Sequence, residues 1–376
     1  MSAKKRKYRA EFRKHHQAQT RRKDLTQRFA ADATANDEAT GERVSGKGDL
    51  TRKRTLAGGE VVEDDSGQLI FPEIDRAVCK TGRVLRVQGL VSIVADDDGR
   101  EYACATRRLL KSLQTDLRHV VAAGDRVWFR PEGEREGIIE RVEPRRGVLS
   151  RSSKRRQHVI VANVDQMIIV TSAAEPRIKP NLIDRYLVTA EKARIRPVIC
   201  INKIDLINAA DLLPLSGVYA QLGYRVLLVS ATTGQGMESL KSLLVGKQTV
   251  FTGQSGVGKS SLLNAIEPGL ALRVRTVSAE SQKGRHTTTT AVLLPLSNGG
   301  WVVDTPGIRQ FQLWDVVAEE VSGYFRDLRP FVSACRFPDC THTHEDYCAV
   351  KDAVADGWID TRRYESYVQI RAGDAV

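Results

Sequence analysis

The sequence predicts a multidomain chain: a small N-terminal β-barrel, a central α/β domain on a mostly parallel sheet, and a helical C-terminal segment. Three observations predict it. Five short strands are expected within residues 78–145. Apolar runs alternate with helical stretches over 160–310. Three cysteines and two histidines fall within fourteen residues, 335–348. A chain of 376 residues has room for two or three domains.

The first 75 residues are polar and show little apolar periodicity. We read 1–75 as a basic, largely disordered extension with one possible helix. Positions 1–30 carry eleven Lys/Arg against two Asp/Glu, much of the chain's net +12. Such an arm suits nucleic acid, or serves only as a solubilising tail. With Glu11, Asp24 and little serine, it reads poorly as an organelle transit peptide. No apolar run approaches the ~18 residues of a membrane span, so no membrane partner is expected.

Residues 76–148 are read as the barrel. Arg83–Val94 and Glu101–Ala105 flank the turn Asp96-Asp97-Asp98-Gly99, and Asp98-Gly99 is a hairpin signal. Arg126–Arg130 and Gly137–Val142 follow. The pattern suits an OB-fold, a common oligonucleotide binder, and an SH3-like barrel would look similar. Arg151–Arg156 reads as a basic linker into the α/β domain, 149–312. There the strand candidates are Val164–Val170, Pro197–Ile201, Tyr224–Val229, Gln248–Thr252 and Trp301–Val303, with helical stretches such as Leu182–Ala193 and Met237–Leu244 between them.

Gly253-Gln254-Ser255-Gly256-Val257-Gly258-Lys259-Ser260 fits G-x-x-x-x-G-K-[ST] between a strand and the helical run from Ser261. The glycines let backbone N–H groups wrap phosphates, Lys259 brings a point charge, and Ser260 can reach Mg²⁺. Asp304-Thr305-Pro306-Gly307 ends another strand. Asp304 can hold Mg²⁺ through water, and the Gly307 N–H can sense a γ-phosphate. Asn202-Lys203-Ile204-Asp205 follows Pro197–Ile201. Asp205 can accept both N1–H and N2–H of guanine, and adenine has no N1–H to offer. Ser230-Ala231 can bring a backbone N–H to guanine O6.

Together these motifs resemble the translation-factor-related GTPases, but in a different order. Here Asn202–Asp205 and Ser230-Ala231 precede the phosphate loop and Asp304–Gly307. That is a circular permutation of the P-loop GTPase domain, and it sets the segment after Gly307 directly beside the switch. Between phosphate loop and Asp304 lies Gly284-Arg285-His286-Thr287-Thr288-Thr289-Thr290. Thr288, with Thr287 close behind, is the candidate Mg²⁺ ligand. Ile308 stands where Ras-like proteins use a water-orienting Gln. His286 is the candidate to take over that task, or Arg285 to stabilise transition-state charge. Weak intrinsic hydrolysis raised by a partner follows from Ile308. So does the rival reading, a non-catalytic RNA-binding module stabilised by GTP.

Residues 313–376 read as a helical zinc-binding domain. Cys335, Cys340, His342 and Cys348 have the spacing C-x₄-C-x-H-x₅-C, with His344 the rival fourth ligand. Three thiolates and an imidazole close a tetrahedral Zn²⁺ site, which is structural because no position remains for water. Arg336, Arg362 and Arg363 nearby could meet phosphates. The other cysteines lie in apolar runs, and the whole pattern suits a reducing compartment.

The arm, the barrel, the permuted motifs with G-Q-S-G-V-G-K-S and G-R-H-T-T-T, and the cysteine spacing resemble the ribosome small-subunit-dependent GTPase A family over about residues 78–365. The resemblance implies a cytoplasmic factor that binds the small ribosomal subunit and its rRNA late in maturation; a monomer is expected. It implies GTP hydrolysis to GDP stimulated by that subunit, with one Zn²⁺ and Mg²⁺ as cofactors. Nucleotide binding carries over to Asn202–Asp205 and Gly253–Ser261, zinc binding to Cys335, Cys340, His342 and Cys348, and a catalytic role to His286. Glu345-Asp346-Tyr347 departs from the family's usual Glu-Pro-Gly before the last cysteine.

Overall fold

The computed structural model describes residues 73–107, 110, 120–153, 156–268, 291–304 and 316–373, and short strands before residue 72. It divides into two compact units. The first holds residues 1–145 and 150–163, the second 146–149 and 164–376.

In the first unit, strands β1 (Lys7–Glu11), β2 (Arg43–Ser45) and β3 (Lys53–Ala57) form an antiparallel sheet. Strands β4 (Glu60–Asp64) and β5 (Gly67–Phe71) pair antiparallel. Strand is thus present inside the segment expected to lack structure. Val61-Val62 and Leu69–Phe71 are short β-forming runs that a window average over so polar a segment hides. Apart from residues 73–75, the rest of that segment lies outside the described residues.

Strands β6 (Lys80–Gln88), β7 (Val91–Asp96), β8 (Glu101–Thr106), β9 (Arg126–Pro131) and β10 (Glu136–Val142) close into a barrel in the order β10-β8-β7-β6-β9. The run Arg83–Val94 is two strands, turned at Gly89, whose φ of 63° suits glycine. All neighbours are antiparallel except β8 and β10. Val84, Val94, Tyr102, Cys104, Phe129 and Ile139 fill the interior. Asp125, fully buried, accepts from Arg145 Nε at 2.8 Å and from the Ala122 N–H at 2.8 Å, which pins the turn into β9. The expected linker Arg151–Arg156 is instead spanned by paired strands β11 (Leu149–Ser153) and β12 (Arg156–Val161).

In the second unit, β13 (Gln166–Ser172), β14 (Arg196–Asn202), β15 (Arg225–Leu228), β16 (Gln248–Thr252), β17 (Val292–Pro295) and β18 (Trp301–Asp304) make one sheet, ordered β15-β14-β13-β16-β18-β17. Only β17 runs antiparallel. Every residue of β13 and β16 is buried, as expected of central strands covered on both faces. Helices α1 (Pro180–Lys192), α2 (Leu213–Gln221), α3 (Met237–Leu244) and α4 (Lys259–Ile266) belong to this unit. So do the C-terminal helices α5 (Val321–Tyr324), α6 (Arg329–Val332), α7 (Ala349–Ala355) and α8 (Thr361–Ala372). Their core of Phe325, Leu328, Val350, Ile359 and Tyr367 includes Val188 of α1. No helix among the described residues is long and apolar enough to cross a membrane.

Candidate nucleotide and metal sites

Strands β14, β15, β16 and β18 are mutually parallel through β13, so their C-terminal ends open on one edge of the sheet. Asn202 ends β14, Ser230 follows β15, Gly253 follows β16, and Asp304 ends β18. Motifs up to a hundred residues apart therefore meet at one edge, where open α/β sheets bind ligands.

The phosphate loop is built by close backbone approach. A Cβ on Gly253 would stand 2.0 Å from the Val170 carbonyl oxygen of β13. A Cβ on Gly258 would stand 2.3 Å from Asn202 Nδ2. Both glycines have positive φ, 138° and 94°. The Lys259 ammonium donates to the carbonyls of Gly253 at 2.7 Å and Gln254 at 2.6 Å, which holds its charge over the loop. Gln254 is half-buried, Ser255 and Gly256 are exposed, and Val257 is buried beneath them. Ser260 and Ser261 stand exposed in the first turn of α4.

Asn202 ties three motifs together. It is 2% exposed, donates Nδ2 to the Val257 carbonyl at 3.0 Å, and accepts the Ala231 N–H on Oδ1 at 3.2 Å. The Ala231 N–H, expected to face guanine O6, is thus engaged by Asn202. Ser230 is fully buried and its Oγ accepts the Thr233 N–H at 3.1 Å, closing the turn. Lys203 takes a left-handed φ of 64° and donates Nζ to the Glu175 carbonyl. Ile204 is buried, while Asp205 beside it is exposed in a single 3-10 turn. Sequence reasoning assigned the guanine contact to Asp205 but missed the bridging by Asn202 and the part of the loop around Glu175. No linear signal reports that an amide reaches a loop 55 residues on. His286, Thr288 and Gly307, with Arg285, Thr287 and Ile308, lie outside the described residues.

Cys335, Cys340, His342 and Cys348 place one ligand atom each within 4.8 Å of one another. Cys335 Sγ lies 3.4 Å from His342 Nδ1 and 3.8 Å from Cys348 Sγ, and Cys348 Sγ lies 3.5 Å from His342 Nδ1. A tetrahedron with Zn–S of ~2.3 Å and Zn–N of ~2.05 Å has edges of about 3.8 Å for S···S and about 3.5 Å for S···N. The donor set fits Zn²⁺. His344 stays outside the cluster, exposed, with its Nδ1 3.1 Å from Thr343 Oγ1. The knuckle is braced from both sides. Glu345 accepts the N–H groups of Thr341 at 2.6 Å and Thr343 at 3.0 Å, and Tyr364 and Tyr367 donate to the carbonyls of His342 and Thr341 at 2.8 and 2.6 Å. Burial works against the charge of Glu345, but its bonds from Thr341 and Thr343 hold its carboxyl well below the usual range.

A family model described as RsgA GTPase matches residues 142–314. A "Small ribosomal subunit biogenesis GTPase RsgA" of Sodalis glossinidius is 43% identical, over 77% of this chain and 84% of its own length. The protein of the same name from Moorella thermoacetica is 43% identical over 77% of this chain and 96% of its own. The chain belongs to the RsgA GTPase family. Among solved structures it resembles YjeQ from Thermotoga maritima, with TM-score 0.64 and 37% identity over 78% of this chain and 98% of that one. It also resembles YloQ, a circularly permuted GTPase, with TM-score 0.62 and 29% identity over 80% and 97%. The permuted order read from the motifs is therefore the fold of an RsgA GTPase.

Two expectations about the tail change. Arg363 is not offered to phosphate: it is 2% exposed and bonded to Asp184 and Asp327, whereas Arg362 stays exposed while pairing with Asp360 at 2.8 Å. The turn expected to differ at Glu345-Asp346-Tyr347 carries backbone strain. Tyr347 stands at φ 57°, a left-handed conformation that costs a side chain about 1–2 kcal/mol. Its exposed ring lies under the Arg336 guanidinium, 5.0 Å from the ring centroid, which returns roughly 0.5–1 kcal/mol.

Tyr347→Gly is accordingly expected to stabilise the protein by about 0.5–1 kcal/mol in urea unfolding; a loss of stability would mean that the Arg336 stack outweighs the strain. Asn202→Ala leaves the Val257 carbonyl and Ala231 N–H unpaired, at about 1–3 kcal/mol. Titration with fluorescent GDP should show affinity reduced about tenfold or more, and wild-type affinity would refute the bridging role.

Proposed function

We propose that the chain hydrolyses GTP to GDP and phosphate while bound to the maturing small ribosomal subunit, late in its assembly, and that the subunit stimulates it. The observation that carries this reading is the Asn202 bridge, which draws the guanine motif, the Ser-Ala turn and the phosphate loop into one pocket edge. Gly253–Ser261 hold the phosphates, and Asp205 selects guanine. Ser260 and Thr288 are the ligands for Mg²⁺, which would neutralise charge on the β- and γ-phosphates. Asp304 and Gly307 report the γ-phosphate, and His286 orients the attacking water in place of the Gln that Ile308 replaces.

The barrel is proposed as an OB-fold that meets rRNA. Its five closed strands and the parallel β8–β10 pair favour this over an all-antiparallel SH3-like barrel. The tail is proposed as a zinc-binding domain with one structural Zn²⁺ on Cys335, Cys340, His342 and Cys348, and the protein as a cytoplasmic monomer. Docking would place the tail on the subunit, with the basic arm adding salt-sensitive affinity for RNA.

GTP turnover by the purified protein, alone, with small subunits and with large subunits, tests the reading. Stimulation by small subunits only is expected, and His286→Ala should abolish it. Equal, negligible turnover in all three would favour the non-catalytic module. Metal analysis should find about one zinc per chain; a folded, metal-free protein would defeat the closed site.

A further inference from the structure

Helix α1 serves two parts of the molecule. Ile183, Tyr186, Leu187 and Ala190 are buried. Asp184, Val188 and Glu191 recur at i, i+4 and i+7, on one face of the helix. That face meets the tail. Val188 packs in the tail's own core with Phe325, Leu328 and Tyr367. Asp184 is wholly buried, and its Oδ1 accepts Arg363 Nη1 at 2.5 Å and the Tyr219 hydroxyl at 2.9 Å. Arg363 also donates to both oxygens of Asp327, at 2.9 and 2.8 Å. Burial opposes its charge, yet the two flanking carboxylates hold its pKa above the ordinary arginine value. One helix turn beyond Val188, Glu191 accepts from Arg326 at 2.7 Å and Arg329 at 3.1 Å.

The other end of α1 leads to the nucleotide. The loop 173–179 runs directly into Pro180. Its Glu175 carbonyl accepts Ser172 Oγ at 3.0 Å and Lys203 Nζ of the guanine motif. A Cβ on Gly256 of the phosphate loop would stand 3.7 Å from Pro176 Cδ. Beside the first turn of α1, Lys179, Asn181, Arg362 and Gln369 line an open surface cleft, and Asn181 Nδ2 donates to Gln369 Oε1 across it at 3.1 Å.

We propose that Asp184 and Arg363 are positioning residues: they fix the metal-bearing tail to α1, so that the tail and the nucleotide loops shift together. This rests on the GTPase reading above. A buried guanidinium that makes three hydrogen bonds to two carboxylates accepts few geometries, unlike an apolar contact that can slide. Energetic coupling is reciprocal. If docking of the tail biases the nucleotide loops, a bound nucleotide must tighten the tail.

Hydrogen exchange on the full-length, zinc-loaded protein, with and without GDP, reads that directly. GDP is expected to slow exchange in 259–266 and, by about fivefold or more, in 361–372. In Arg363→Lys, tail protection should be lost while 259–266 stays protected. Should that variant fail to fold, Glu191→Gln, which loosens only the outer pairs, should reduce the effect. Protection of 259–266 alone in the wild type would overturn the coupling. Undiminished tail protection in the folded variants would overturn the assignment to these side chains. Protection of neither segment would refute the nucleotide site itself, and the coupling with it.

Discussion

The side-chain amide of Asn202 is the contact on which the nucleotide site depends. A buried amide must satisfy both its donor and its acceptor. Here each is met by a different motif, Val257 in the phosphate loop and Ala231 in the turn after β15. Both loops begin where strands end, so the sheet ladder does not by itself fix one against the other. Gly258 is required by the same contact, since the amide nitrogen occupies the space a Cβ would take. The loop shape, the bridging amide and the missing side chain are one constraint.

Permutation changes what that site is attached to. With the guanine motif first, the chain leaves the sheet by β18 and goes on into the tail. The tail then packs against α1, which itself enters from the loop beneath Lys203. The segment that follows the switch in sequence is therefore also the neighbour, in space, of the helix that follows β13. Removing one partner from a buried ion pair costs about 3–5 kcal/mol, so the Asp184–Arg363 joint is not lightly opened.

The tail itself is short of core. Helices α5 and α6 have four residues each, below the length at which a helix holds itself together. A metal ion held by the clustered Cys335, Cys340, His342 and Cys348 would supply the cross-links that so small a segment needs. Glu345, Tyr364 and Tyr367 then satisfy the knuckle's backbone. Tyr347 shows the tolerance of that arrangement: a residue ill suited to its φ is carried because the bonds on either side of it fix the turn.

Much of this was legible in one dimension. The central strand Gln248–Thr252 and helix Met237–Leu244 match to the residue, since buried apolar runs bounded by glycine leave little choice of register. The edge strand Val292–Pro295 and the helix Leu213–Gln221 were not foreseen: the first is four residues long, and the second carries a proline and a glycine. Chemistry confined to neighbouring residues, such as the phosphate loop and a metal knuckle on Cys335, Cys340 and Cys348 with one of two histidines, is legible in the sequence alone. So is the permuted motif order, because it is a fact of order. The fate of Arg363, the engagement of the Ala231 N–H and the choice of His342 over His344 were decided only by tertiary structure. Each depends on which atom of a distant segment fills a shared volume, and no spacing along the chain encodes that.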